Sequence, residues 1–256
     1  MSYFTSKKQS LVISTTALIV VLIFWNILSR RFHPFILPSP FETYLAIIDL
    51  WRSGELQRNI LITFRRTVIS YFFAVVSALI FALLLKKNGF MRDFFRPLIT
   101  VIQITPPIVL LAFALIWFGV ADDLTPMFLI FLVSFPIIFI NVFAGIDGID
   151  MNLLEMAKVY CCSRKKIFFN IYLPSLLPHL FSAISIGLAF AWKSTIFAEF
   201  IASSSGVGFA LSMANSNLQT EKLFAWAIIL IIFMMFFEYG LLNPIRVYLT
   251  RWSGNE

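Results

Sequence analysis

The chain has 256 residues, of which 60% are hydrophobic, 17% aromatic and only 13% charged, and it carries 30 Phe. A water-soluble domain has about a quarter charged residues, so this composition excludes an ordinary soluble enzyme and makes lipid the main solvent. The net charge is +7, but the basic residues sit between apolar runs, which reads as topology signalling rather than a nucleic-acid surface.

The length suffices for about six spans of roughly 20 residues with short loops. Lys7 and Lys8 precede an uncharged run from Leu11 to Leu28, closed by Arg30 and Arg31. That run is too long for a secretory signal core and lacks a small-x-small cleavage site before Arg30, so it reads as a retained first span. His33 to Pro40 is a Pro-rich connector that cannot be helical throughout. Phe41 to Leu56 mixes Glu42, Asp49 and Arg52 with apolar residues and reads as an interfacial helix.

The second span is expected at Thr67 to Leu85, entered from about Ile60, and ends at Lys86 and Lys87. The third is Pro97 to Ala121, interrupted by Pro106 and Pro107, and the fourth is Leu124 to Ile146 with Pro136 inside. The fifth runs from about Pro174 to Ala198 and contains Lys193; the sixth runs from Leu223 to about Ile245 with Glu238 near its end. Proline is tolerated in a span where neighbouring helices or water satisfy the freed carbonyls. These prolines fit either helices shaped around a pathway or ordinary kinks.

With the N-terminus in the cytosol, the inner segments hold 12 Lys and Arg and the outer ones seven, with Lys193 inside a span. The bias places both termini inside. Arg30 to Arg66 run against it locally, and Arg65 and Arg66 are expected to point partly into the bundle.

The longest inner loop, Asp150 to Pro178, is also mixed in character. Asn152 is positioned as a helix cap, with Glu155 three residues on. Leu153, Ala157 and Tyr160 are expected on one face, with Leu154 and Cys161 beside them. Ser163 is placed to cap a second short helix. Arg164, Lys165 and Lys166 then stand where a helix dipole disfavours cations, so they want acidic lipid headgroups or an acidic partner surface.

Within this loop the sequence Glu155-Met156-Ala157, three residues, Cys161, nine residues, Ile171-x-Leu173-Pro174 resembles the EAA loop of ABC importer permeases. The family pattern is E-A-A, three residues, G, nine residues, I-x-L-P. Met156 replaces the second small residue and Cys161 replaces Gly, which bears on a tight turn because a side chain is strained at positive φ. Leu37-Pro38-Ser39-Pro40, Pro106-Pro107 before Ile116-Trp117-Phe118-Gly119, Ala191-Trp192, Ala198-Glu199 and Ser205-Gly206-Val207-Gly208 are similar to the branch importing nitrate, sulfonates and taurine. That branch also includes importers of thiamine-precursor pyrimidines and riboflavin.

The resemblance implies an all-α membrane protein of the type I ABC importer permease fold, with a cytoplasmic coupling-helix loop. It implies residues 1–57 as the N-terminal span, connector and interfacial helix, 58–245 as the permease core and 246–256 as a cytoplasmic tail. Glu155, Met156, Ala157, Cys161, Ile171, Leu173 and Pro174 would couple to the ATPase. The implied partners are two ABC ATPase subunits, a second copy of the permease and an external solute-binding protein, in a bacterial inner membrane. No G-x4-G-K-[ST] pattern occurs in the chain. ATP and Mg would therefore belong to the partner, and the chain itself would be non-catalytic and free of cofactors.

The pathway candidates are Lys193, Trp192, Glu199, Pro106 and Pro107. Lys193 can snorkel to the outer interface or face the path. Glu199 and Glu238 can pair with basic residues or sit at interfaces. Gly206 and Gly208 fit an outer turn or re-entrant segment better than a phosphate loop. Adjacent Cys161 and Cys162 offer neither a staple nor metal-ligand spacing, and His33 and His179 are isolated. A secondary transporter or channel working alone is the competing reading, but it would want inverted repeats and would leave the loop unexplained. The outer basic residues and Lys193 favour an anionic solute; the aromatic richness admits a flat heterocycle.

Overall fold

The computed structural model describes residues 7–87, 89–120 and 123–242. The expected tail 246–256 and the side chain of Glu238 lie outside what it describes. The described residues are helical, with no strand among them. The chain forms two compact units, one of residues 1–58 with 210–231 and one of residues 59–209 with 232–256.

In the first unit, α1 (Lys7–Ser29) is followed by a connector and α2 (Pro40–Arg52). Ser39 caps α2: its hydroxyl accepts from the Glu42 amide, and the Glu42 carboxylate accepts from the Ser39 amide at 2.7 Å. Pro40 follows at the first helical position, where its missing N–H costs nothing. The helix ends at Ser53 and Gly54, whose φ of +75° suits glycine. The Trp25 indole donates to the Pro38 carbonyl at 3.0 Å and stacks on Phe224.

The second unit holds the helices long and apolar enough to cross a membrane. α3 (Glu55–Lys87), α6 (Leu124–Asp147) and the run from α8 (Arg164–Ile167) through α9 (Leu173–Ala202) qualify singly. α4 (Gly89–Ile104) and α5 (Pro107–Phe118) qualify only together and are bent by 99°. The third expected span is therefore a broken one. Proline fixes φ and drives the preceding residue out of the helical region; Pro106 accordingly takes ψ 137° and the ladder stops.

α3, α6 and α9 share one apolar core in which small residues are prominent. Ala74, Ala78 and Ala82 recur every fourth position and are fully buried, as are Ala183 and Ala191 on α9. Small residues at this spacing let helix backbones meet in a membrane. The Tyr71 hydroxyl donates to the Ile184 carbonyl at 2.6 Å, and Thr67 and Thr195 share a hydrogen bond of 2.9 Å. At Gly145 of α6 a Cβ would sit 2.7 Å from that of His179.

These contacts also decide the course of the bent pair. Arg65 and Arg66, early in α3, pair with Asp123 at the start of α6. Lys86, at the far end of α3, donates to the Ile146 carbonyl at the far end of α6. Twenty helical residues separate Arg66 from Lys86, about 30 Å. The two helices thus run the same way, and α4 with α5 must carry the chain back from one end to the other.

The remaining helices are α7 (Met151–Val159), α10 (Val207–Ser216) and α11 (Thr220–Met235), the last extended by a wider π turn from Phe236 to Leu242.

Candidate functional site

The loop with the EAA-like spacing folds as expected in outline and differs in detail. Asp150, not Asn152, caps α7: its carboxylate accepts from the Asn152 amide at 2.8 Å. An Asp can reach the amide two residues on, so it takes the cap earlier in the chain. The buried face is Leu154 and Ala157, whereas Leu153 and Tyr160 are exposed. Ala157 and Leu154 thus turn inward as the expected face and its flank would have it, while Leu153 and Tyr160, expected on that face, turn outward.

The outer face of α7 presents Glu155 together with Met156 and Val159, which are 52% and 80% exposed. The nine-residue helix thus presents exposed apolar residues beside a carboxylate. Cys161 closes the helix at φ +51°, so this position does require the left-handed region that the family's Gly supplies. Ser163 caps α8 as expected, accepting from the Lys166 amide.

Ile171, Leu173 and Pro174 lie where the loop becomes the span. Pro174 has no N–H to give the Asn170 carbonyl and its ring crowds that turn. The ladder widens: residues 168–172 form a π turn in which the Leu173 amide reaches Phe168. The sequence signal Leu-Pro therefore marks a re-aimed helix rather than a chemical group.

At the opposite end of the unit lies a buried charged knot. Arg66 is 1% exposed and donates to Glu199 at 2.9 Å, to Asp123 at 2.7 Å and to the Ser205 carbonyl at 2.8 Å. Glu199 is fully buried and accepts also from Thr63 at 2.8 Å and from the Gly208 amide at 3.1 Å. Gly206 sits at φ +100°, and a Cβ there would fall 2.4 Å from the Glu199 carboxylate. The glycines thus fold the chain over a carboxylate instead of cradling a phosphate. Arg65 is exposed but shares Asp123; only Arg66 points inward.

Burial alone would raise the Asp123 carboxyl, but the hydrogen bond and charge of Arg66, and then Arg65, outweigh it and hold it below the usual carboxylate range. Sequence reasoning singled out Glu199 but missed Thr63 and Arg66 as its partners, and Asp123 and Ser205 as the further partners of Arg66. The signal available was an arginine pair within a span, which wants a carboxylate.

Lys193 stays outside this knot. It is exposed, has no ion-pair partner among the described residues, and lies over the Phe190 ring with 5.7 Å to the centroid. A cavity of about 380 Å³ beside it is lined by Trp192, Phe237 and Tyr239 among others. Trp192 is 4% exposed, packs on Phe64, Phe233 and Phe237, and its indole N–H has no hydrogen-bond partner among the described residues. Pro107 lines a separate cavity of about 340 Å³ with Gln103, Asn141 and Phe190. Phe190 thus connects Lys193 with the break at Pro106 and Pro107, while Glu199 is brought to neither.

A family model described as "Binding-protein-dependent transport system inner membrane component" matches residues 71–243. The chain belongs to this family. As a binding-protein-dependent inner-membrane component it is a multi-pass, non-catalytic part of an ABC import system, and the family implies an ATPase and a binding protein as partners.

Among relatives, the taurine transport system permease protein TauC of Escherichia coli (strain K12) is 24% identical over 255 residues, 97% of this chain and 92% of the relative. The putative aliphatic sulfonates transport permease protein SsuC of the same strain is 34% identical over 186 residues, 73% of this chain and 70% of the relative. The nitrate import permease protein NrtB of Synechocystis sp. is 27% identical over 219 residues, 82% of this chain and 79% of the relative. A chain of the MetNI methionine ABC transporter, from a study of its inward-facing conformations, superposes with a TM-score of 0.63 at 18% identity. It covers 76% of this chain and 95% of its own length, and that likeness speaks for the fold.

Proposed function

We propose that the chain is the membrane-spanning subunit of an ATP-driven importer for a small anion of the sulfonate, taurine or nitrate kind, delivered by an external binding protein. The observation that carries the solute class is Lys193. An intramembrane cation without a partner is costly, about 2.5–3.5 kcal/mol at mid-membrane on insertion scales. Its retention beside an aromatic-lined cavity is accounted for by an anion that passes it. The relatives named for taurine, sulfonates and nitrate support the same class.

In this reading six spans are completed by α1 and α11, both termini are cytosolic, and two copies of the chain enclose the path. Two ATPase subunits hold ATP and Mg and dock on the outer face of α7 through Glu155, Met156 and Val159. Ala157 and Leu154 anchor that helix to the membrane unit; Cys161 shapes its end, and Ile171, Leu173 and Pro174 transmit its movement into α9. Pro106 and Pro107 shape the path, and Glu199 with Arg66 fixes the loop at its outer end. The test is uptake by vesicles reconstituted with the ATPase and binding protein, offered labelled taurine, an alkanesulfonate, nitrate, a pyrimidine and riboflavin. Saturable uptake of one of the three anions is expected. Uptake of a heterocycle alone would replace the solute class, and uptake without ATP would overturn the importer itself.

A further inference from the structure

A cavity of about 660 Å³ lies at the loop end of the second unit. Its apolar wall is Leu83 at the end of the α3 span, Leu154 of α7, Ile167 and Phe168 of the α8 turn and Leu176 of α9. Its polar lining is Lys86, Lys158, Arg164 and the Tyr172 phenol, with no carboxylate among the described residues. Lys86 is already engaged, donating to the Ile146 carbonyl and lying over the Tyr172 ring. Lys158 and Arg164 have no ion-pair partner among the described residues, and both stand at the mouth of an apolar recess where spans end.

We propose that this cavity binds an anionic phospholipid, with Lys158 and Arg164 on the phosphodiester and an acyl chain against Leu83, Leu154, Phe168 and Leu176. Charge complementarity selects the occupant. Arginine meets phosphate oxygens through two parallel N–H groups, and lysine meets them as a point charge. A tyrosine hydroxyl adds a donor. Basic pockets between helices at the cytoplasmic face are suited to acidic headgroups. An acidic peptide would satisfy the cations but leave the apolar wall at span level unfilled, whereas a lipid answers both. The site uses Leu154 and Lys158 of α7, a face neighbouring the one proposed for the ATPase, so a bound lipid would brace the helix from its side. The proposal requires only that the chain is a membrane protein and goes beyond its role in import.

The experiment is native mass spectrometry of the full chain extracted from nanodiscs of equal phosphatidylglycerol and phosphatidylcholine. Phosphatidylglycerol is expected to be retained over phosphatidylcholine. Lys158→Gln with Arg164→Gln should reduce that retention about fivefold for each cation removed, the attraction one Lys or Arg supplies at an acidic lipid surface. Lys165→Gln with Lys166→Gln removes the same charge outside the lining and should leave retention within about twofold. Leu176→Trp fills the apolar recess without touching the charge and should also lower retention, so a folding defect in one variant does not decide the matter. Equal losses from both lysine-containing pairs would reduce the effect to diffuse attraction and overturn the site. So would equal retention of phosphatidylcholine, or displacement of the lipid by millimolar inorganic phosphate.

Discussion

Arg66 and Lys193 are both cations within spans, and the structure treats them in opposite ways. Arg66 is enclosed by Glu199, Asp123 and Ser205, and losing one member of such a knot leaves the others buried and unmatched. Arg66→Leu is expected to destabilise the protein by about 3–5 kcal/mol, whereas Arg66→Leu with Glu199→Leu should recover part of that loss. Thermal unfolding in detergent checks it, and a double variant worse than the single one would contradict this account. Asp123 gives the knot an acid limit. Its carboxyl is held below the usual range, so the stability it supplies is present above the ordinary aspartate value near 4 and is lost as pH falls through the lower folded value. Asp123→Asn should flatten the stability profile below about pH 4 and leave its shape above pH 6 unchanged. Lys193 has no such enclosure. Lys193→Met keeps length and removes charge, so uptake of an anion should fall by at least about tenfold with assembly of the ATPase intact. A rate equal to wild type would remove Lys193 from the path and leave it a surface cation reaching water.

At the scale of elements, legibility followed chemistry that is local in sequence. Ser39-Pro40-x-Glu42 carries a capping box, a signal readable from residues alone, though α2 was taken only as an amphipathic segment. The Pro106-Pro107 break was visible, but its 99° angle was not, because sequence shows that a ladder stops and not where the next helix is aimed. The ladder of Ala74, Ala78 and Ala82 was equally open to inspection and was overlooked beneath the abundance of Phe. The partners of Arg66 lie 57 to 139 residues away, and no local pattern names them. Within α7, Leu154 and Ala157 are the buried pair, and which of two adjacent leucines turns inward depends on what the helix packs against, which no local pattern shows. The two faces of α7 now separate two kinds of variant. Val159→Asp changes the exposed face and should lower recovery of the ATPase with the permease while thermal unfolding stays within about 1 kcal/mol of wild type. Ala157→Trp enlarges a residue that is 5% exposed and should lower both. If Val159→Asp copurifies the ATPase normally and transports normally, α7 does not dock through this face.

For the whole molecule, the direction of each helix in the second unit follows from which ends are tied. α3, α6 and α9 are tied at one end through Arg66, Asp123 and Glu199, and α3 and α6 at the other through Lys86 and Ile146. That gives four passes: α3 away from the knot, the bent α4–α5 pair back, α6 away and α9 back. α7 with Cys161 and Cys162 then stands at the end remote from the knot. α1 has 23 residues, about 35 Å of helix, and α11 with its π turn spans a similar length, which is the length, though not by itself the apolar run, that a core of about 30 Å needs. The six-span proposal adds one pass before the four and one after, and so expects both termini on the side of α7. Cys161 and Cys162 are exposed and provide a native reference for that side. A membrane-impermeant maleimide should leave them unlabelled in intact cells and label them in inverted vesicles. In a Cys161→Ser, Cys162→Ser background, Ser2→Cys and Gly254→Cys should each behave the same way. Labelling of the native cysteines from outside would invert the whole arrangement and place α7 away from any cytosolic ATPase. Labelling of only one terminus from outside would show that α1 or α11 fails to cross and reduce the count to five, while leaving the four-pass unit as its own contacts fix it.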